Sequence, residues 1–192
     1  MTNLVQGKIM YRIDESYYLR PLSADDMGGP YTSWFIDQNI CRFSSHGKFT
    51  KSTSDFVEYI NSSNSEKLIV LAICHNEDGH VGNISLQNIS LINRNAEFAI
   101  IIGDSKHHGK GVAFKASQIL LTHGFNKLNL HRVYCGTAEG NIGMVQLAKK
   151  LGMKQEGCQR KHLFLEGEWI DKVEFGILKH EFLCQAKGLF RS

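Results

Sequence analysis

The chain has 192 residues, of which 42% are hydrophobic and 21% charged, with a net charge of +3. This composition can bury a full core and excludes extensive disorder, and the dispersed lysines and arginines exclude the concentrated basic face of a nucleic-acid binder. No run approaches the ~18 apolar residues of a membrane span, and Met1 to Arg20 lacks the apolar core of a secretion signal, so a single cytoplasmic domain over residues 1–192 with no membrane partner is expected.

Tyr17 to Leu22 reads as a first strand, and Ser23-Ala24-Asp25-Asp26 as a helix start with early carboxylates. Met27 to Thr50 is loop-rich, and its Trp34, Phe35, His46 and Phe49 fit either a substrate-binding rim or an irregular region whose aromatics pack on the sheet. Ser52 to Ser54 can cap a helix whose Phe56, Val57 and Ile60 fall at helical spacing. Lys67 to Cys74 is a continuous apolar run, the pattern of a strand buried on both faces. His75 to Gly79 is a hairpin turn, His80 to Ile89 alternates as an antiparallel strand, and Asn93 to Gly103 supplies the next. A helical stripe runs from Val112 to His123, followed by a strand at Arg132 to Thr137 and a helix at Asn141 to Leu151 that closes on Gly152. Cys158 to Leu165 and Trp169 to Leu178 flank a hairpin turn at Glu166-Gly167-Glu168.

The segment with most chemistry is Lys106-His107-His108-Gly109-Lys110-Gly111, between a strand and a helix. A helix start offers unpaired main-chain N–H groups and the positive end of the helix dipole, which together favour a diphosphate. Gly109 and Gly111 have no side chain to prevent close approach of the main chain, and Lys106 and Lys110 add positive charge. The nucleotide-triphosphatase spacing fails, because five residues separate Gly103 from Gly109 and Gly111 stands where a magnesium-binding hydroxyl belongs. The Gly-x-Gly-x-x-Gly dinucleotide pattern is also missing from this stretch. A diphosphate cradle without a metal is what remains.

Five cysteines, Cys41, Cys74, Cys135, Cys158 and Cys184, form no Cys-x-x-Cys pair and read as buried or half-buried free thiols. Nine histidines include the neighbours His107 and His108 together with His123 and His131. Adjacent histidines at a helix start point in different directions and no ligand spacing is present, so no metal is expected. His107 and His108 are instead expected to border phosphates through their main-chain N–H groups.

These residues resemble the GNAT superfamily of acyl-CoA-dependent N-acetyltransferases. The loop from Lys106 to Gly111 is similar to its Gln/Arg-x-x-Gly-x-Gly/Ala motif, with Lys106 in place of Gln or Arg. Gly140-Asn141-Ile142-Gly143, Lys150-Leu151-Gly152-Met153 and Glu156-Gly157 resemble a second family stretch. The segment from Trp169-Ile170-Asp171 to Gly176-Ile177-Leu178 is similar to the branch of ribosomal-protein N-terminal and amino-sugar acetyltransferases. The resemblance covers residues 15–182 in the expected order. It implies a mixed α/β fold: a mostly antiparallel sheet of about seven strands, flanked by helices and splayed between the fourth and fifth strands to admit a pantetheine arm.

The cosubstrate implied is acetyl-CoA, held by Ile100, Ile102, Lys106, His107, His108, Gly109, Lys110, Gly111, Val112 and Asn141. Glu97 is the candidate proton acceptor, since the family often places a carboxylate on the strand before the loop; pairing with Arg94 is its structural alternative. Asn141 suits both the pantetheine end and a helix N-cap. Many relatives carry Ser at the position of Met144 or Tyr at that of Ala148 to protonate the leaving thiolate. Neither residue here can donate a proton, so either another group such as Tyr134 or water does this, or the thiolate leaves without enzymatic protonation.

The implied reaction is direct acetyl transfer to a primary amine in a ternary complex. The acceptor is expected to be an amino sugar, a nucleotide-linked amino sugar, another small amine or a protein N-terminus, with Trp34, Phe35, His46, His162 and Trp169 shaping the choice. A non-catalytic acyl-CoA sensor is the alternative, and the chain is expected to be a monomer or homodimer.

Overall fold

The computed structural model describes residues 10–43, 48 and 52–189. His46 and Phe49 of the expected rim lie outside them. In chain order the elements are β1 (Tyr11–Arg12), β2 (Tyr17–Pro21), α1 (Gln38–Cys41), α2 (Thr53–Ser62), β3 (Ile69–His75), β4 (Gly79–Ser90), β5 (Asn95–Ile102), α3 (Val112–Asn126), β6 (Arg132–Ala138), α4 (Ile142–Lys150), β7 (Lys154–Leu165), β8 (Glu168–Leu178) and α5 (Lys179–Leu189). The strands form one eight-stranded sheet in the order β1-β2-β3-β4-β5-β6-β8-β7. All neighbours are antiparallel except β5 and β6.

The mixed fold and its seven main strands are as expected, with three differences. The two-residue β1 extends the edge beside β2, β7 starts four residues earlier than Cys158, and α5 follows β8 directly. The stretch after Met27 holds short helical turns at Ser33–Phe35 and α1. Among the described residues no helix is long and apolar enough to cross a membrane.

β3 explains the two-sided core. Leu71 and Ile73 point into the larger cluster, while Val70, Ala72 and Cys74 point into a second cluster with Leu22, Tyr31, Trp34 and Ile60. The period-2 alternation of a strand therefore buries apolar side chains on both faces, which is why Leu68 to Cys74 carries no charged residue. On the first face α3 packs across β4 and β5 through Ala116, Leu120, Leu121 and Phe125, and α4 adds Ala148 and Leu151. The second face is covered by α2, whose N-terminus is closed by a reciprocal box: Ser52 Oγ accepts from Asp55 N–H and the Asp55 carboxylate accepts from Ser52 N–H.

β5 and β6 are joined by three residue pairs, Asn95–Arg132, Ala96–Val133 and Glu97–Tyr134. Past Glu97, β5 continues to Ile102 on β4 alone, and past Tyr134, β6 continues to Ala138 on β8 alone. Parallel neighbours that part in mid-strand leave main-chain groups and side chains facing a gap. This is the splay between the fourth and fifth of the seven main strands.

Candidate active site

The gap opens into a cavity of about 700 Å³. β5 supplies Glu97 to Ile102, the loop before α3 supplies His107, His108, Gly109 and Gly111, and α4 supplies Met144 and Leu147. The far wall carries Tyr31, Phe35 and Tyr59, with Asn83, Ser85 and Gln87 from β4. The cavity thus runs beside β5 from Glu97, at the parting point, to Ile102 and the loop, five residues on at ~3.3 Å each, or roughly 17 Å.

At the loop end the main chain is shaped for an anion. Gly109 and Gly111 adopt φ of +72° and +77°, the left-handed region that side chains with a β-carbon disfavour. Gly111 is the N-cap of α3 and has no side chain to satisfy the first helical N–H groups. The first helical N–H taken up is that of Lys115, by the Gly111 carbonyl at 3.2 Å. The amides of Val112, Ala113 and Phe114 are therefore left for a ligand, and the loop fits the diphosphate of a nucleotide cosubstrate. The main-chain N–H groups of His107 and His108 do not serve as expected: they donate to Asp104 and Ser105 carbonyls, each at 3.0 Å, because the segment Ser105–His107 is itself a helical turn.

At the other end Glu97 is half-buried, and its Oε2 accepts from Asn88 Nδ2 at 2.8 Å. Arg94 is not its partner; the guanidinium donates to the carbonyl and side chain of Asn129 instead. Asn141 caps α4, its Oδ1 accepting from Met144 N–H at 3.2 Å while its Nδ2 donates to Thr137 Oγ1 at 3.0 Å. Both functional atoms are thus committed to holding the turn between β6 and α4, and one amide N–H of this cavity-lining residue is left over. Met144 also lines it, whereas Ala148 is fully buried.

The expected residues divide accordingly. Glu97, Ile100, Ile102, His107, His108, Gly109, Gly111, Val112, Asn141 and Phe35 line one cavity, and Lys106 and Lys110 are exposed on the loop beside it. Tyr134, the register partner of Glu97, does not line it: its ring lies under the Arg132 guanidinium at 5.9 Å. Burial, and then the Glu97 charge, push its phenol pKa up.

Trp34 is a core residue, only 3% exposed, packed edge-on to Tyr31 and His80. It fits because Gly103 has no side chain; a β-carbon there would lie 2.1 Å from its ring. His162 and Trp169 are exposed and off the cavity, Trp169 packing on Phe164 at 5.1 Å, while their neighbour Leu163 reaches the cavity wall. The alternation of β7 carries the reason, since His162 and Leu163 point to opposite faces. Tyr31, Tyr59 and the polar row on β4 were not anticipated. A period-2 strand with Asn83, Ser85 and Gln87 on one face was the available signal.

Of the cysteines, Cys41, Cys74 and Cys135 are buried free thiols as expected, and burial pushes Cys135 up to about 12. Cys158 and Cys184 are exposed, Cys158 lying on the sheet's edge strand.

Residues 17–154 match the family model described as an acetyltransferase (GNAT) domain. The chain is 27% identical over 177 residues to spermidine N(1)-acetyltransferase of Escherichia coli (strain K12), covering 90% of this chain and 91% of that protein. It is 35% identical over 101 residues to the putative ribosomal N-acetyltransferase YdaF of Bacillus subtilis (strain 168), covering 53% and 55% of the two chains. A crystal structure of spermidine N-acetyltransferase from Vibrio cholerae in complex with CoA and spermine superposes with a TM-score of 0.79 at 26% identity, covering 88% of this chain and 99% of that one. The chain belongs to the GNAT acetyltransferases, enzymes that move an acetyl group from acetyl-CoA to an amine.

Proposed function

We propose that the acceptor is a small, flexible primary amine carrying further cationic nitrogens, of the polyamine type, and that it is acetylated where β5 and β6 part. The observation that carries this reading is the position of Glu97: a carboxylate at the apex of the gap, facing a cavity whose wall is Tyr31, Phe35 and Tyr59. Ammonium groups are held by carboxylates and by aromatic faces. The spermidine acetyltransferases among the relatives support the same class. A nucleotide-linked amino sugar would need a second set of cations for its own diphosphate, and the cavity's lysine side chain is Lys172, which is drawn to Glu174 at 3.2 Å.

In this reading the amides of Gly109 to Phe114 hold the diphosphate, with Lys106 and Lys110 adding long-range attraction. Ile100 and Ile102 flank the arm, and Asn141 fixes the turn that its end meets. The cosubstrate supplies the activated acyl group, so orientation and exclusion of water are the protein's main contributions. Glu97 takes the proton lost by the amine, directly or through a water, and water protonates the thiolate because Met144 and Ala148 cannot.

A thiol-release assay with acetyl-CoA against spermidine, spermine, glucosamine, a nucleotide-linked amino sugar and a peptide with a free N-terminus tests this. Turnover on the polyamines at least tenfold above the rest is expected. Preference for the sugar or the peptide overturns the acceptor, and binding of acetyl-CoA with no turnover on any amine favours a sensor.

A further inference from the structure

We propose that His75, Asp78 and His107 form a binding site for one divalent ion of the zinc type, which ties the β3–β4 turn to the diphosphate loop. The three side chains come from two parts of the chain: His75 and Asp78 from the β3–β4 hairpin, and His107 from the helical turn that leads into Gly109. Their ligand atoms, His75 Nδ1, Asp78 Oδ2 and His107 Nε2, lie within 4.8 Å of one another. Asp78 Oδ2 is 2.9 Å from His75 Nδ1 and 3.3 Å from His107 Nε2. Ligands ~2.0–2.1 Å from a tetrahedral zinc are roughly 3.3 Å apart, so these positions need little adjustment to close on an ion.

A second observation points to a ligand. His107 is 1% exposed, yet its Nε2 has no hydrogen-bond partner and is directed at Asp78. Buried ring nitrogens are almost always satisfied, and one left open beside a carboxylate and a second imidazole is a coordination position. The other ring nitrogen, Nδ1, sits 2.7 Å from Tyr17 Oη. Donation from Nδ1–H to Tyr17 leaves the Nε2 lone pair free and fixes the ring, as outer partners of metal-binding histidines do. Asp104 Oδ2 stands 3.8 Å from the same Nε2 and can supply charge or, with water, a fourth position. At His75 the ion would replace the Asp78 N–H, which approaches Nδ1 at 3.3 Å.

The expectation of no metal considered His107 with its neighbour His108, and those two do diverge. His108 Nε2 turns to the Ile102 carbonyl at 2.9 Å, while His107 turns into the molecule to meet residues distant in the chain. His107 also lines the cavity, but none of the three side chains has a part in the proton transfers proposed above, and the site does not depend on the acceptor. Its ion would brace the Asp104–His107 turn and offset Asp78 beside an anion cradle.

The test is calorimetric titration of zinc ion into untagged, chelator-treated protein, with the visible absorption of a cobalt(II) complex as a second readout. One equivalent per chain and tetrahedral cobalt bands are expected. Asp78→Asn and His75→Gln, both outside the proposed catalytic and cosubstrate-binding residues, should each weaken zinc at least tenfold and lose the cobalt bands while keeping the metal-free melting temperature. No saturable binding overturns the proposal, as does zinc affinity unchanged in both variants, which would put the ion on exposed thiols or other histidines.

Discussion

Glu97 and Tyr134 are the last residues that join β5 to β6, and beyond this pair the two strands have different neighbours. The pair marks the apex of the gap. A carboxylate at an apex is the only acidic side chain on the described cavity wall, so proton acceptance should depend on it. Glu97→Gln is expected to lower kcat roughly 100-fold or more with the KM for acetyl-CoA little changed. Steady-state kinetics with both substrates varied checks this, and undiminished turnover removes the assignment.

Gly111 caps α3 with φ of +77° and open space around its α-carbon. An alanine there fits sterically but is strained by about 1–2 kcal/mol. Relaxation would turn the free amides away from the diphosphate. Gly111→Ala should raise the KM for acetyl-CoA by roughly 5–30-fold and leave kcat at saturation nearly intact. A fall in kcat alone would place the loop's contribution elsewhere.

Asn141 has two separable contributions. Its Oδ1 caps α4, and loss of a cap costs about 1 kcal/mol, so Asn141→Ala should melt lower and Asn141→Ser should recover most of the difference. The spare amide N–H is lost in both variants. Equal reduction of activity in the two would assign that N–H to the cosubstrate; recovery with serine would assign Asn141 to the turn alone. The first outcome is expected.

Asp26 sits under the second core with Arg20 on both carboxylate oxygens and His80 Nδ1 at 3.0 Å. Burial works to raise its pKa, but the Arg20 guanidinium, His80 and the Ser23 N–H together hold it well below the ordinary 3.8. A depressed carboxyl stabilises the fold above its unfolded pKa and loses that contribution as pH falls toward its folded value. Asp26→Asn should therefore cost about 3 kcal/mol at pH 7, because the half-buried Arg20 is left without its counter-ion. The difference from wild type should narrow below about pH 4. Urea unfolding at pH 7 and pH 3 measures both; a constant difference contradicts the pairing.

Much of the site could be read from the sequence where local rules decide the structure. The two loop glycines adopt the left-handed backbone that their position requires, Asn141 caps the helix that follows it, and the uniform apolar run of β3 marks burial on both faces. Positions set by distant packing could not be read in this way. Trp34 looks like rim from its neighbours and is core because Gly103, far along the chain, leaves room for its ring. Tyr134 and Glu97 are paired only by the parallel register, which no local pattern encodes. The His107 main-chain N–H is consumed by a helical turn that the adjacent glycines obscured, while its side chain finds His75 and Asp78 across the fold. α5 was missed because a segment with Phe182 as its buried anchor has little apolar stripe to see.

Acetyl-CoA is expected to enter between β5 and β6 with its diphosphate on the helix start after Gly111. A crystal structure of the protein with CoA tests it most directly. Diphosphate oxygens at about 2.7–3.2 Å from main-chain N–H groups between Gly109 and Phe114, with the thiol end toward Glu97, are the predicted result. A diphosphate held away from those amides, or a thiol pointing out of the gap, would contradict it.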